Sequence, residues 1–69
     1  MNMNVNMYSV VPTPDMSSWI VKLEDAVPES QYNSQDEAIE AATKLARDNT
    51  PSKIEVWDKN HNMIDQKLF

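Results

Sequence analysis

The sequence predicts a small α+β domain in which one helix packs on one face of a sheet made of antiparallel hairpins. Residues 34–48 form a capped stretch with the apolar periodicity of an amphipathic helix. Short segments of alternating apolar and polar residues, typical of strands, flank it on both sides. A chain of 69 residues has the size of one domain. We therefore expect a two-layer β-β-α-β-β domain over residues 1–69, with residues 1–4 as a frayed N-terminal tail.

The N-terminal half contains two predicted strands. Alternation places them at residues 5–11 and 18–24. Pro12, Pro14 and Asp15 lie between them and predict a turn-rich connection. Residues 25–33 are predicted to be a loop, because Pro28 prevents a helix from continuing through them.

The helix has a predicted start, face and end. Ser34 and Glu37 form a capping box, in which each side chain bonds the backbone N–H of the other residue. Asn49, followed by Thr50 and Pro51, is the expected stop. Five residues form the apolar stripe that should face the sheet: Ala38, Ile39, Ala42, Leu45 and Ala46. Because most of them are alanine, we expect close packing, with Ile39 and Leu45 as the two larger core side chains.

The C-terminal segment predicts a second hairpin. Its strands are expected at residues 52 or 53 to 58 and at 63–68, joined by residues 59–62. The chain has no glycine, so positive φ in this turn is expected at Asn60 and Asn62. The order in which the two hairpins join cannot be read from the sequence.

The order of these motifs resembles a known family. The strand motif Tyr8-x-Val10-Val11-Pro12 is followed by Trp19-x-Val21-Lys22 and by the helix pattern Ser34-x-x-Glu37-Ala38-Ile39-x-Ala41-Ala42-x-x-Leu45-Ala46. This arrangement resembles the small bacterial and phage proteins grouped as domain of unknown function 2188, from Tyr8 onward. The resemblance implies the same architecture, no assigned activity, and a role such as a phage or stress accessory protein. Family members commonly carry Asp-Gly in the last turn, so residues 58–62 here imply a longer or differently shaped hairpin.

The composition excludes several classes of site. Without glycine there is no phosphate loop, dinucleotide fingerprint or nucleophile elbow, since each needs a residue without a Cβ. Without cysteine there is no disulfide framework, zinc ribbon or thiol nucleophile. His61 is the only histidine and lies in a predicted turn without converging partners. We expect no enzyme activity, no cofactor, no metal site and no small-molecule substrate.

The charge of the chain bears on its partners. Eleven acidic and six basic residues give a formal net charge of -5, and the basic residues are scattered, which argues against nucleic-acid binding. Two alternatives stay open. A weak nucleic-acid binder would use Trp19 or Trp57 as a stacking platform. An acidic nucleic-acid mimic would align six carboxylates at phosphate-like spacing: Glu24, Asp25, Glu29, Asp36, Glu37 and Glu40.

The N-terminal residues lack the basic residues and the continuous apolar run of a signal peptide. No segment approaches the length of a membrane span. We therefore expect a cytoplasmic protein without a membrane partner.

The strands predict one candidate site. Alternation places Trp19, Val21, Ile54, Val56 and Ile64 on the face toward the helix. The opposite face would carry an apolar patch of Ile20, Trp57, Met7 and Met63, with Phe69 as a further candidate. Such a patch favours a protein-interaction surface, either for self-association as a homodimer or for another protein. The alternative is an isolated surface tryptophan, half-covered by Lys53, Glu55 and the N-terminal tail.

Overall fold

A computed structural model describes residues 5–23 and 30–69 of the chain. Those two ranges contain five strands and one helix. In chain order they are β1 (Asn6–Pro12), β2 (Trp19–Leu23), β3 (Ser30–Tyr32), α1 (Gln35–Asp48), β4 (Ser52–Trp57) and β5 (Met63–Leu68). The small α+β class is confirmed.

The five strands form one mixed sheet in the order β3-β2-β1-β4-β5. Both predicted hairpins are antiparallel, β1 with β2 and β4 with β5. The hairpins join through a parallel pair, β1 with β4, so the sheet is not built from antiparallel hairpins alone. The predicted β-β-α-β-β order also lacked β3, which lies where a loop was expected. This strand has three residues, two of them exposed, and so no apolar alternation to reveal it.

The core lies between α1 and the sheet. Ala38, Ala42 and Ala46 are completely buried and lie four residues apart, on one side of the helix. Their small side chains let the helix backbone approach the sheet. The buried sheet residues beneath are Tyr8, Val10, Val21, Ile54 and Val56.

Leu45 is not the core residue that was expected, because its side chain is 41% exposed. Ile39 is partly buried and packs against the edge of the core. The three alanines define the direction of the sheet, and each residue advances about 100° around a helix. Leu45 therefore lies about 60° from the mean direction of the alanines, on the flank of the buried face, where it lines a hollow between α1 and the sheet.

Both ends of α1 have hydrogen-bond partners. The Ser34 hydroxyl accepts the backbone N–H of Glu37 at 3.1 Å, as predicted. The return bond from Ser34 N–H to the Glu37 carboxylate is absent from the described parts of the chain. At the other end, Asn49 donates its backbone N–H to Ala46 O (3.3 Å) and its side-chain amide to Leu45 O (2.8 Å).

Strand β5 lies beyond the reach of the helix. Helix α1 contacts β1, β2, β3 and β4 but, among these described elements, not β5. All six residues of β5 are exposed, and Ile64 is 53% exposed instead of meeting the helix. The pairing of β4 with β5 shifts register between Val56 and Trp57, so alternation does not assign Ile64 to the core face.

Phe69 packs against the core, which corrects its assignment to the opposite face. It exchanges two backbone hydrogen bonds with Ser52, at 3.0 and 2.8 Å. Directly paired residues share a sheet face, and Ser52 is buried on the helix side.

The turn between β4 and β5 takes positive φ at His61 (62°), not at Asn60 or Asn62. The Asp58 carboxylate accepts the backbone N–H groups of Asn60 (2.8 Å) and Asn62 (2.9 Å). These bonds hold both asparagines and leave the left-handed conformation to the residue between them. Met16, in the turn after β1, is the other described non-glycine residue with positive φ.

Within residues 5–23 and 30–69, no helix has the length and apolar character needed to cross a bilayer.

Candidate functional site

The strand register places one set of side chains on the sheet face opposite α1, which we call the open face. In the described ranges α1 is the one helix and lies on the other side, so no described element covers this face. The open face consists of Met7, Ser9, Val11, Ile20, Lys22, Gln31, Lys53, Glu55, Trp57, Met63, Gln66 and Leu68.

An apolar row crosses the open face at one end of the strands. Ile20 pairs with Val11, and Trp57 pairs with Met63. Val11 follows the Val10–Val56 pair along β1 and therefore lies beside Trp57. Across four strands spaced about 4.8 Å apart, this apolar row is about 14 Å long. In this row Ile20, Val11 and Trp57 are half-buried, and Met63 is 45% exposed.

A polar row lies next to the apolar row. Ser9 pairs with Lys22 on one side and with Glu55 on the other. The Glu55 Oε2 atom is 3.5 Å from Lys53 Nζ, and these side chains are only 18% and 26% exposed. Lys22 is exposed. The charged residues of the open face are thus two lysines and one glutamate, in a chain of net charge -5.

The four residues predicted for the site all lie on the open face. Ile20, Trp57 and Met63 belong to the apolar row. Met7 lies four residues before Val11 on β1, about 13 Å away, and is half-buried. The sequence prediction missed Val11. Alternation along β1 from Met7 could have found it.

Two of the shallow hollows formed by described residues lie against the central strands of the sheet. One, of about 350 Å³, lies on the open face and is lined by Met7, Ser9, Val11 and Lys22, together with Leu23. The other, of about 300 Å³, lies between the C-terminal half of α1 and the sheet, and none of the described residues that line it is charged. Among the described residues that line them, neither hollow contains a histidine or a carboxylate.

The turn after β1 contains a polar cluster centred on Asp15. The Asp15 carboxylate accepts hydrogen bonds from the Thr13 hydroxyl (2.5 Å), the Ser17 hydroxyl (2.8 Å) and the Ser17 backbone N–H (3.1 Å). These bonds, the one from Thr13 first, lower the pKa of Asp15 from 3.8 to about 2. Thr13 is buried, and its hydroxyl accepts the backbone N–H of Ser18 at 3.2 Å. The cluster therefore organises the β1–β2 connection.

His61 is exposed at the tip of its turn. In the described part of the chain, no group of three or more histidine, cysteine, aspartate or glutamate side chains could hold a metal ion.

The described residues named for nucleic-acid mimicry lie on α1, and those named for nucleic-acid binding lie on the two faces of the sheet. Asp36, Glu37 and Glu40 are exposed on α1, and Glu40 Oε1 is 4.0 Å from Lys44 Nζ. The other three carboxylates of the predicted mimic, Glu24, Asp25 and Glu29, lie outside the described residues. Of the two tryptophans, Trp19 packs against the core on the helix side, whereas Trp57 lies on the open face.

Comparison with known proteins identifies relatives of this chain. Residues 8–68 match a family described as "Uncharacterized protein conserved in bacteria (DUF2188)". The chain is 32% identical over 65 residues to the "Uncharacterized protein YycD" of Bacillus subtilis (strain 168), which covers 94% of this chain and 98% of that relative. No solved structure matches it significantly. The match from β1 to the end of β5 confirms the resemblance seen in the motifs, and this chain belongs to the bacterial DUF2188 family.

Proposed function

We propose that this protein is a non-catalytic binding module and that its open face binds protein. One observation carries the proposal: the apolar row of Val11, Ile20, Trp57 and Met63 lies on a sheet face that no described element covers. A contiguous apolar patch of this kind is typical of an interaction surface.

Trp57 is the residue expected to contribute most to binding. Tryptophan is enriched among the few residues that dominate binding free energy, especially at the centre of a patch. Its neighbours in the row are Val11 and Met63, so the indole has apolar side chains on both sides. Lys53 and Glu55 provide charged groups beside the row, as at the polar rim of an interface.

The proposal places the module in the cytoplasm. A chain without cysteine is compatible with a reducing compartment, because it needs no disulfide to fold.

A capture experiment with matched variants tests the binding face. Immobilised wild type, Trp57→Ser and Leu45→Ser would be incubated with lysate of the source organism, and bound proteins identified by mass spectrometry. Leu45 is the control, since it is an exposed apolar residue on α1 and not on the open face. We expect a protein retained by wild type and by Leu45→Ser but lost with Trp57→Ser. That protein would then be purified and its affinity for the three forms measured.

Circular dichroism of each variant would establish that it is folded. Equal binding by Trp57→Ser and wild type would contradict the proposal. Capture of nucleic acid, with an affinity that falls steeply as salt is added, would also contradict it.

A further inference from the structure

The order of the strands places two strands on each side of a central one. Strand β1 is central, with β2 and β4 beside it and β3 and β5 outside. A rotation of 180° about an axis along β1, applied to a second copy packed face to face, places β2 over β4 and β3 over β5. Every strand then lies opposite a strand of the other copy.

The charges of the polar row suit this rotation. Lys22 and Glu55 lie on opposite sides of Ser9, each one strand away. With the axis along β1, Lys22 of each copy faces Glu55 of the other, whose carboxylate also lies 3.5 Å from Lys53 Nζ of its own chain. An axis along the row instead would place Lys22 over Lys22 and Glu55 over Glu55, which like-charge repulsion disfavours.

Under this rotation three of the four residues of the apolar row face apolar residues, and Met63 on β5 faces Gln31 on β3. Val11 lies on β1 and faces Val11 of the second copy. Ile20 on β2 faces Trp57 on β4, twice in the dimer. Aligned packing of two sheets is a common arrangement, with the sheets about 10 Å apart.

Two features limit strand pairing at the edges of the sheet. Strand β3 has only three residues, and short edge strands limit pairing with another chain. Along β5 the backbone N–H groups point alternately toward β4 and away from it. The Phe69 N–H points toward β4, since it donates to Ser52 O, so the N–H of Gln66, three residues earlier, points away. That N–H donates instead to the Asp65 carboxylate at 2.8 Å, so it is not available to an incoming strand.

We infer that the occupant of the open face is a second copy of this chain, packed face to face about a twofold axis along β1. This inference rests on the proposed function and specifies its partner. Five strands spaced about 4.8 Å apart, each about 20 Å long, offer a flat footprint of roughly 480 Å² at most. A standard stable interface buries about 800 Å² on each partner. The dimer is therefore expected to be weak and concentration-dependent.

Charge exchange between two variants tests the arrangement. In a dimer of Lys22→Glu copies, both contacts between positions 22 and 55 would join two carboxylates. In a dimer of Glu55→Lys copies, both would join two ammonium groups. When the two variants are mixed, each heterodimer regains two opposite-charge pairs. We expect wild type to dimerise, each variant alone to remain monomeric, and the mixture to dimerise. Mass would be measured by sedimentation from about 1 µM to about 1 mM protein.

Lys44→Glu, the same charge change on the exposed face of α1, is the matched control and should dimerise like wild type. Glu55→Lys places a second lysine beside Lys53, so its fold would be checked by circular dichroism. If it does not fold, Ser9→Cys provides the second test in this cysteine-free chain. Ser9 lies on the axis, so a short thiol-reactive cross-linker should join Ser9→Cys copies and should not join copies of Lys44→Cys.

Wild type that stays monomeric at every concentration would overturn the inference. Single variants that dimerise as well as wild type would overturn it too, because association would then use another surface. After either result, the capture experiment with Trp57→Ser still tests protein binding separately.

Discussion

Replacing Ile54 by alanine should destabilise the fold far more than the same change at Leu45. Ile54 is completely buried on β4, whereas Leu45 is 41% exposed on α1. Each change removes three carbons, worth about 0.8 kcal/mol apiece when fully buried, or about 2.4 kcal/mol in total. At Ile54 the cavity left beneath the helix raises this to about 3–4 kcal/mol.

At Leu45 only about three-fifths of the side chain is shielded, which reduces the transfer contribution to about 1.4 kcal/mol. No closed cavity forms there, and alanine has the higher helix propensity, so the expected loss is about 1 kcal/mol. A chain of 69 residues has a stability of roughly 3.5–10 kcal/mol, so Ile54→Ala removes a large share of it.

Urea unfolding followed by circular dichroism measures both free energies. Ile54→Val, with an expected loss of about 0.5–1.5 kcal/mol, supplies a value if Ile54→Ala does not fold. A loss at Leu45→Ala as large as that at Ile54→Ala would refute the assignment of the buried helix face to the alanines.

Three further changes test the cap, the first turn and the sheet edge. Ser34→Ala should lower the free energy of unfolding in urea by about 1 kcal/mol, and Ser34→Asn, which restores an acceptor, should recover most of it. Because the pKa of Asp15 is lowered from 3.8 to about 2 in the folded protein, its carboxylate stabilises the fold above pH 3.8. That contribution should disappear as pH falls from about 3.8 to about 2. The urea midpoints of wild type and Asp15→Asn should therefore converge on acidification. A difference that stays constant with pH would contradict a stabilising role for the Asp15 carboxylate. Asp65→Ala should release the Gln66 N–H at the β5 edge and increase aggregation in light scattering, whereas Asp65→Asn keeps an acceptor oxygen and should resemble wild type.

The sequence predicted those elements whose determinants are local. The Ser34 cap, the buried alanines and the Asn49 stop all act within a few residues, and the structure contains each of them. Strand β5 has the predicted bounds, Met63–Leu68. The face shared by Ile20, Trp57 and Met7 also followed from period-two alternation. Met63 lies on this face through the register shift between Val56 and Trp57.

What the sequence could not predict depends on distant or irregular contacts. The parallel pairing of β1 with β4 leaves no local signal in either strand. Ile64 lies beside a register shift, where alternation fails. At the last turn, the side chain of Asp58 holds Asn60 and Asn62, so His61 takes the conformation expected of an asparagine.

The parallel pair at the centre of the sheet also has a kinetic consequence. Tyr8 pairs with Ile54, 46 positions later in the chain, so the central strand obtains its second neighbour only through a long-range closure. Hairpins such as β1–β2 form within microseconds, whereas pairings of distant segments slow folding. A growing polypeptide would hold β1 with one edge unpaired until β4 has been synthesised. During that interval the unpaired edge of β1 is exposed to pairing with another chain. Refolding should therefore be most efficient in dilute solution, where such encounters are rare.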